Sequence, residues 1–140
     1  MTTIATAQAT STAAPAAFFA KWADMATWPE WNNDTEWVRL DGPFAQGATG
    51  ALKPKGGPKV PFIVERLSES EFVDVSKLIG ARLIFDHQVA TGPARTTVTV
   101  TVSIEGPLSW FWTKVMGADI AESVEPDLRA LVAAAEAVLV

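Results

Sequence analysis

Hydrophobic and polar positions change rhythm twice along this chain. The first rhythm is a weak alternation, Thr3-Ile4-Ala5-Thr6-Ala7, within a Thr-rich segment from Thr3 to Thr12. Period two and β-branching predict a strand there. Pro15 then opens an apolar stretch, Ala16 to Met25. Phe18 and Trp22 stand four residues apart in it, which fits a helix with Pro in its first turn. Pro29 ends that helix near Thr27, so Met25 to Trp31 is a short helix or turn presenting Trp28 and Trp31.

From Thr35 to Glu105 short β-rich runs alternate with turn residues. The runs are Glu36–Leu40, Ala48–Lys53, Val60–Leu67, Glu71–Lys77, Ala81–Ala90 and Thr96–Glu105. Breaks such as Asp41-Gly42-Pro43, Ile79-Gly80 and Thr91-Gly92-Pro93 separate them. Six short runs so spaced predict an antiparallel meander. In the last run Val98, Val100, Val102 and Ile104 share one face; Thr97, Thr99, Thr101 and Ser103 share the other, expected in water.

After Gly106-Pro107 the spacing becomes three and four. Met116, Ile120, Val124, Leu128, Leu131, Ala135 and Val138 form one stripe of a long amphipathic helix. Gly117 and Pro126 interrupt the stripe, and Pro126 is expected to bend the helix. The order strand, short helices, six strands, long helix predicts an α+β fold. A twisted seven-stranded sheet curls, and the long helix can seal its concave face. With no internal repeat or linker, residues 1–140 read as a single domain.

Composition narrows the function classes. The chain has 140 residues, 49% hydrophobic and 19% charged, which is globular rather than disordered. A net charge of −5 argues against a nucleic-acid partner, which needs a basic face. There is no cysteine, hence no disulfide and no thiolate chemistry. Met1 to Ala14 does not read as a signal peptide, and no run is long enough to span a membrane. A cytoplasmic location is expected. One histidine and no cysteine rule out a tetrahedral zinc site, and no phosphate-binding glycine loop or Gly-x-Ser-x-Gly elbow occurs. No metal and no cofactor is expected.

Several stretches together resemble a known family. They are Asp24-Met25-Ala26-Thr27-Trp28-Pro29-Glu30-Trp31, Phe44-Ala45-Gln46-Gly47-Ala48, Phe62-Ile63-Val64, Phe85-Asp86-His87, Gly106-Pro107-Leu108, and the helix closing on Leu128, Leu131 and Ala135-Glu136. Their order and spacing are similar to the polyketide cyclase/dehydrase-like branch of the START-like (SRPBCC, Bet v 1-like) superfamily. The resemblance covers nearly the whole chain. It implies a helix-grip fold, a curved antiparallel sheet wrapped around a long C-terminal helix, with a hydrophobic cavity between them. It implies no single reaction, because members bind, carry or transform different molecules.

Given that fold, large aromatics stand where the cavity mouth would be. Trp28, Trp31, Trp37, Trp110 and Trp112 lie near helix starts and strand ends, and can line a cavity or simply cover a rim. Trp112 lies one turn before Met116, so it is preferred to Trp110 as a wall; Phe111 could be a mobile lid. His87 shares parity with Leu83, Phe85 and Val89 and should point inward. There it is either a candidate acid/base or a buried neutral imidazole paired with backbone or Asp86. Arg66 shares parity with Phe62 and Val64; it either reaches the cavity to anchor a carboxylate or enolate oxygen, or snorkels at the surface. Arg82, on the face opposite His87, is expected in solvent. The candidate cavity therefore takes Trp28 and Trp31 from the short helix, and Phe62, Val64 and Arg66 from the fourth strand. Phe85, His87 and Val100 come from the last two strands, and Trp112, Met116 and Ile120 from the long helix.

Three functions remain open on this reading. The first is a binder or carrier of an apolar molecule such as a lipid, polyketide or aromatic metabolite. The second is a cyclase or dehydratase in which His87 moves a proton. The third is a regulatory or structural domain with a filled core.

Overall fold

The computed structural model describes residues 1–137. Strand β1 (Thr2–Ser11) is followed by helix α1 (Pro15–Ala23), a 3-10 turn (Met25–Thr27) and the one-turn helix α2 (Trp28–Trp31). Then come β2 (Thr35–Asp41), β3 (Thr49–Pro54), β4 (Val60–Leu67), β5 (Glu71–Leu78), β6 (Ala81–Thr91) and β7 (Thr96–Glu105). Helix α3 (Ser109–Ala137) closes the described chain. The strands form one antiparallel sheet in the order β1-β7-β6-β5-β4-β3-β2. Only β1 leaves sequence order: the chain crosses through α1 and α2 to the far edge, then returns strand by strand.

The expected alternation on β7 sets the core. Val98, Val102 and Ile104 are fully buried and Val100 nearly so, while Thr97, Thr99 and Thr101 are half-buried. Ser103 departs from the expected wet face and is buried. Helix α3 runs unbroken through Pro126, which sits on its exposed side. Proline removes one hydrogen bond there and the helix absorbs the loss, so neither Pro126 nor Gly117 interrupts it. The stripe residue Val138 lies outside the described residues.

Helix α3 packs chiefly on β1, and also on α1, β7 and α2. Its C-terminal end is tied to β1 by Glu136. That carboxylate accepts from the Ser11 hydroxyl at 2.7 Å and from the Thr12 backbone N–H at 3.3 Å. Helix α1 drives Phe18 and Trp22 into the core, both essentially inaccessible to solvent. Trp28 is pinned under α1, its indole N–H shared by the carbonyls of Lys21 and Trp22 at 3.2 and 3.3 Å.

A β-bulge decides where β4 points. Val64 pairs with Asp74, but Arg66 pairs with Val73, so Glu65 is an extra residue in the ladder. The inserted residue reverses the inward–outward alternation beyond Val64. Phe62 and Val64 are buried, while the Arg66 side chain is 58% exposed and reaches Glu71 at 3.7 Å. The inward placement of Arg66 expected from parity is therefore incorrect. A bulge between Thr35 and Trp37 similarly shifts β2, where Val38 rather than Trp37 joins the core. Arg82 is on the outer face as expected, bridging Glu65 and Glu105 at 2.6 Å each.

Candidate functional site

Between the sheet and α3 lies a cavity of about 260 Å³. This is just below the range of roughly 300–1,000 Å³ usual for small-molecule clefts. The candidates Trp28, Trp31, Phe62, Phe85, His87, Val100, Met116 and Ile120 line it. Three others do not. Val64 is fully buried in the core behind the wall. Arg66 is turned out by the bulge. Trp112 rests against the core while its indole N–H donates to the Ile79 carbonyl at 2.8 Å, which holds the ring at the β5–β6 turn, away from the cavity. Trp110 and Phe111 are 63% and 43% exposed and take no part in the wall.

Each element contributes by its period. On β5, Asp74 and Ser76 face the cavity, while Val73 and Val75 are buried on the opposite face. On α3 the turns at Met116, Ile120, Val124, Asp127 and Leu131 present one face to it. Gly50 on β3 leaves room for the Phe62 ring: a Cβ there would collide with the Arg39 carbonyl and come within 2.7 Å of that ring.

His87 sits between two aromatic rings. Phe72 stacks on it at 4.8 Å with an interplanar angle of 15°, and Trp22 lies at 5.0 Å. Its Nδ1 is 2.8 Å from the Phe72 carbonyl. A carbonyl can only accept, so Nδ1 carries the proton and the neutral ring leaves Nε2 bare. Burial pushes its pKa down to about 4, against weaker opposing pulls from the Phe72 carbonyl and Asp86. The ring is therefore neutral at physiological pH and lacks the second N–H proton that an imidazolium acid would donate.

The titratable group that residue spacing missed is Asp74. Its side chain is only 9% exposed, and Oδ1 has no hydrogen-bond partner. The nearest charge-bearing group is His87 Nδ1 at 3.8 Å, beyond hydrogen-bond reach. Burial pushes the Asp74 carboxyl up to about 7, against a weaker opposing pull from its own backbone N–H. A second acidic pair, Asp34 and Asp127, lines the cavity where the loop after α2 meets α3. Asp127 is pushed up to about 7, first by burial and then by the charge and hydrogen bond of Asp34. A signal for both existed in the sequence. Asp74 shares parity with the buried Phe72, and Asp127 falls at helical spacing between Val124 and Leu131. Trp22, assigned only to a helix by the sequence reading, also lines the cavity.

Among the described residues no cluster of His, Asp and Glu side chains is placed to hold a metal ion. No described helix is long and apolar enough to cross a membrane.

No family model and no curated protein matches the chain. Solved structures do match over nearly its full length. TTHA0849 of Thermus thermophilus superposes with a TM-score of 0.74 at 16% identity, covering 96% of this chain and 97% of that one. A START superfamily protein from Mycobacterium smegmatis gives 0.68 at 14% identity, over 95% and 97% of the two chains. The di-domain ARO/CYC StfQ of the steffimycin biosynthetic pathway gives 0.72 at 10% identity, covering 96% of this chain and 51% of that one. At these identities the likeness is one of fold. With its seven curved antiparallel strands, short helices after the first, and long C-terminal helix, the chain has the helix-grip fold of the START-like, Bet v 1-like (SRPBCC) superfamily.

Proposed function

We propose that the chain is a single ligand-binding domain that holds one apolar small molecule between the sheet and α3. The observation that carries this is the cavity itself, about 260 Å³ of internal space walled mostly by apolar and aromatic side chains. A well-packed interior leaves few voids larger than a water molecule, so retained space of this size favours an occupant over a filled core. The volume suits a compact molecule of one or two rings or a medium alkyl chain, rather than a two-chain lipid. The net charge of −5 supports a small-molecule partner over nucleic acid.

Trp22, Trp28 and Trp31 line the space, so indole emission is a direct probe. Titration with a panel of medium-chain and aromatic ligands should change it saturably at micromolar concentrations. Native mass spectrometry of protein purified under mild conditions should show an added small mass. A chain that gives neither response to any ligand has a filled or collapsed interior, and the reading fails.

A second reading, an enzyme of the cyclase or dehydratase kind, is favoured by one observation. Asp74 is a carboxyl group in the cavity wall that titrates near neutrality, as a general acid/base should. StfQ, a structure of the same fold, is named for an aromatase/cyclase role. In this reading proton transfer belongs to Asp74 rather than His87, whose Nδ1–H is held by Phe72 and whose bare Nε2 is a weak base, its pKa lowered by burial to about 4. Turnover lost in Asp74→Asn and kept in His87→Gln would support it; the reverse pattern would sink it.

A further inference from the structure

We infer that the molecule held in this cavity is a hydrophobic amine, with its ammonium group neutralised by Asp74. This rests on the ligand-binding reading and names the ligand class.

The charges facing the cavity are lopsided. Asp34, Asp74 and Asp127 all line it, and among the described residues no Lys or Arg does. His87 cannot balance them, since its Nδ1–H is engaged with the Phe72 carbonyl. None of the three carboxyl groups is paired with a Lys or Arg side chain among the described residues, although seven salt bridges occur elsewhere or involve His87. In a structural core a buried acid is hydrogen-bonded or matched by a cation, because an orphaned one costs several kcal/mol. Here Oδ1 of Asp74, on a side chain more than nine-tenths buried, meets no donor, and the residue lines the cavity.

An ammonium ion satisfies that carboxyl group in a way that an alcohol or a carbonyl does not. It supplies up to three N–H donors and the missing positive charge. Three indole rings, Trp22, Trp28 and Trp31, stand in the same wall. Indole faces attract cations, while the unpartnered Nε1–H of Trp31 is left as a lone donor. The Asp34–Asp127 pair, where the α2–β2 loop meets α3, keeps a net negative charge even with Asp127 partly protonated, which draws a cation in and repels carboxylates. The remainder of the wall, including Phe62 and Phe85, is apolar and takes the body of the molecule. The arrangement therefore selects against fatty acids, although their chains would fit.

Three eight-carbon probes that differ only in headgroup test this: octylamine, 1-octanol and octanoate, titrated against intrinsic Trp emission. Octylamine should bind at least about tenfold tighter than octanol, and octanoate weakest, because a charge-assisted hydrogen bond in a buried site is stronger than a neutral one. In Asp74→Asn, nearly the same shape, the preference for amine over alcohol should fall to about threefold or less, while octanol binding is retained. Asp127→Asn, less deeply buried and already bonded to Asp34, should weaken octylamine only a few-fold. Octanol equal to or tighter than octylamine in the native chain overturns the amine assignment and leaves the apolar-binding reading intact. Loss of the amine preference in Asp127→Asn but not in Asp74→Asn overturns the role of Asp74. No response to any of the three probes removes both readings together.

Discussion

The two ends of the α3–sheet interface carry the same stripe of apolar residues and do different things with it. Toward the C-terminus, beyond Leu131, Ala135 is fully buried and Glu136 is bonded to the end of β1. Toward the N-terminus, Met116 and Ile120 are only half-buried and face open space across from β3, β4 and β6. The difference is one of neighbours, not of side-chain type. Small residues along β1 (Ala5, Ala7, Ala9) let the helix settle at one end. At the other, the rings of Trp28, Trp31, Phe62 and Phe85 and the acid of Asp74 hold it away. A continuous hydrophobic stripe can thus cover a cavity from Met116 to Leu131 and serve as a closed packing surface only beyond it.

The largest effect expected from breaking that contrast is on stability. Phe18→Ala, at the closed end and fully inaccessible, should cost about 3–5 kcal/mol in urea unfolding. Met116→Ala at the open end should cost under about 1.5 kcal/mol, because the side chain is already partly exposed and borders existing open space. Similar losses at both positions would mean that the open end is packed in solution.

Next comes the pH dependence, in which two groups act with opposite sign. The folded pKa of Asp74 is raised above its ordinary value, from 3.8 to about 7, so the stability it allows at low pH is lost as pH rises across that window. Asp127 acts in the same direction. His87 is lowered from 6.5 to about 4, so stability is gained as pH rises between those values. Over the shared range His87 and Asp74 largely cancel. Asp74→Asn removes one side of the balance, so the variant should gain on the native chain by roughly 2–4 kcal/mol between about pH 4 and pH 8. Urea midpoints at several pH values would show it; parallel curves for the two proteins would mean that Asp74 is solvated and ordinary.

Filling the space sharpens the same comparison. Val100→Phe points a larger ring into the cavity from β7, where there is room for it. Stability should change by less than about 1.5 kcal/mol, below the usual cost of overpacking a full core, while ligand affinity falls at least about tenfold. The smallest effect is expected at Arg66. Arg66→Ala should shift stability by under about 0.5 kcal/mol and leave binding unchanged, since its contact with Glu71 is long and solvent-exposed. A marked loss of binding there would restore it to the site.

Much of the fold was legible before any coordinates. Each of the six β-rich runs is a strand, with ends moved by only a residue or so, because turn residues at Asp41-Gly42-Pro43, Gly80 and Gly92-Pro93 punctuate them. The inward set on β6 and β7 followed from strict alternation, and these strands have an unbroken register. On β4 the same rule failed beyond Val64, because a one-residue bulge leaves no mark in hydrophobic parity and yet reverses it. Trp112 was misplaced for a related reason: helical spacing shares out faces, but a hydrogen bond to Ile79 decided where the ring came to rest.

The sequence by itself determined the element order, the strand alternation and the amphipathic stripe of α3, because these depend on neighbours two to four residues apart. The tertiary structure alone decided that Asp74 meets no donor, that Asp34 and Asp127 converge, and that the stripe stands clear of the sheet at one end. Those outcomes are set by which chain segments, far apart in sequence, come to share a few ångströms of low-dielectric space, and local spacing carries no record of that.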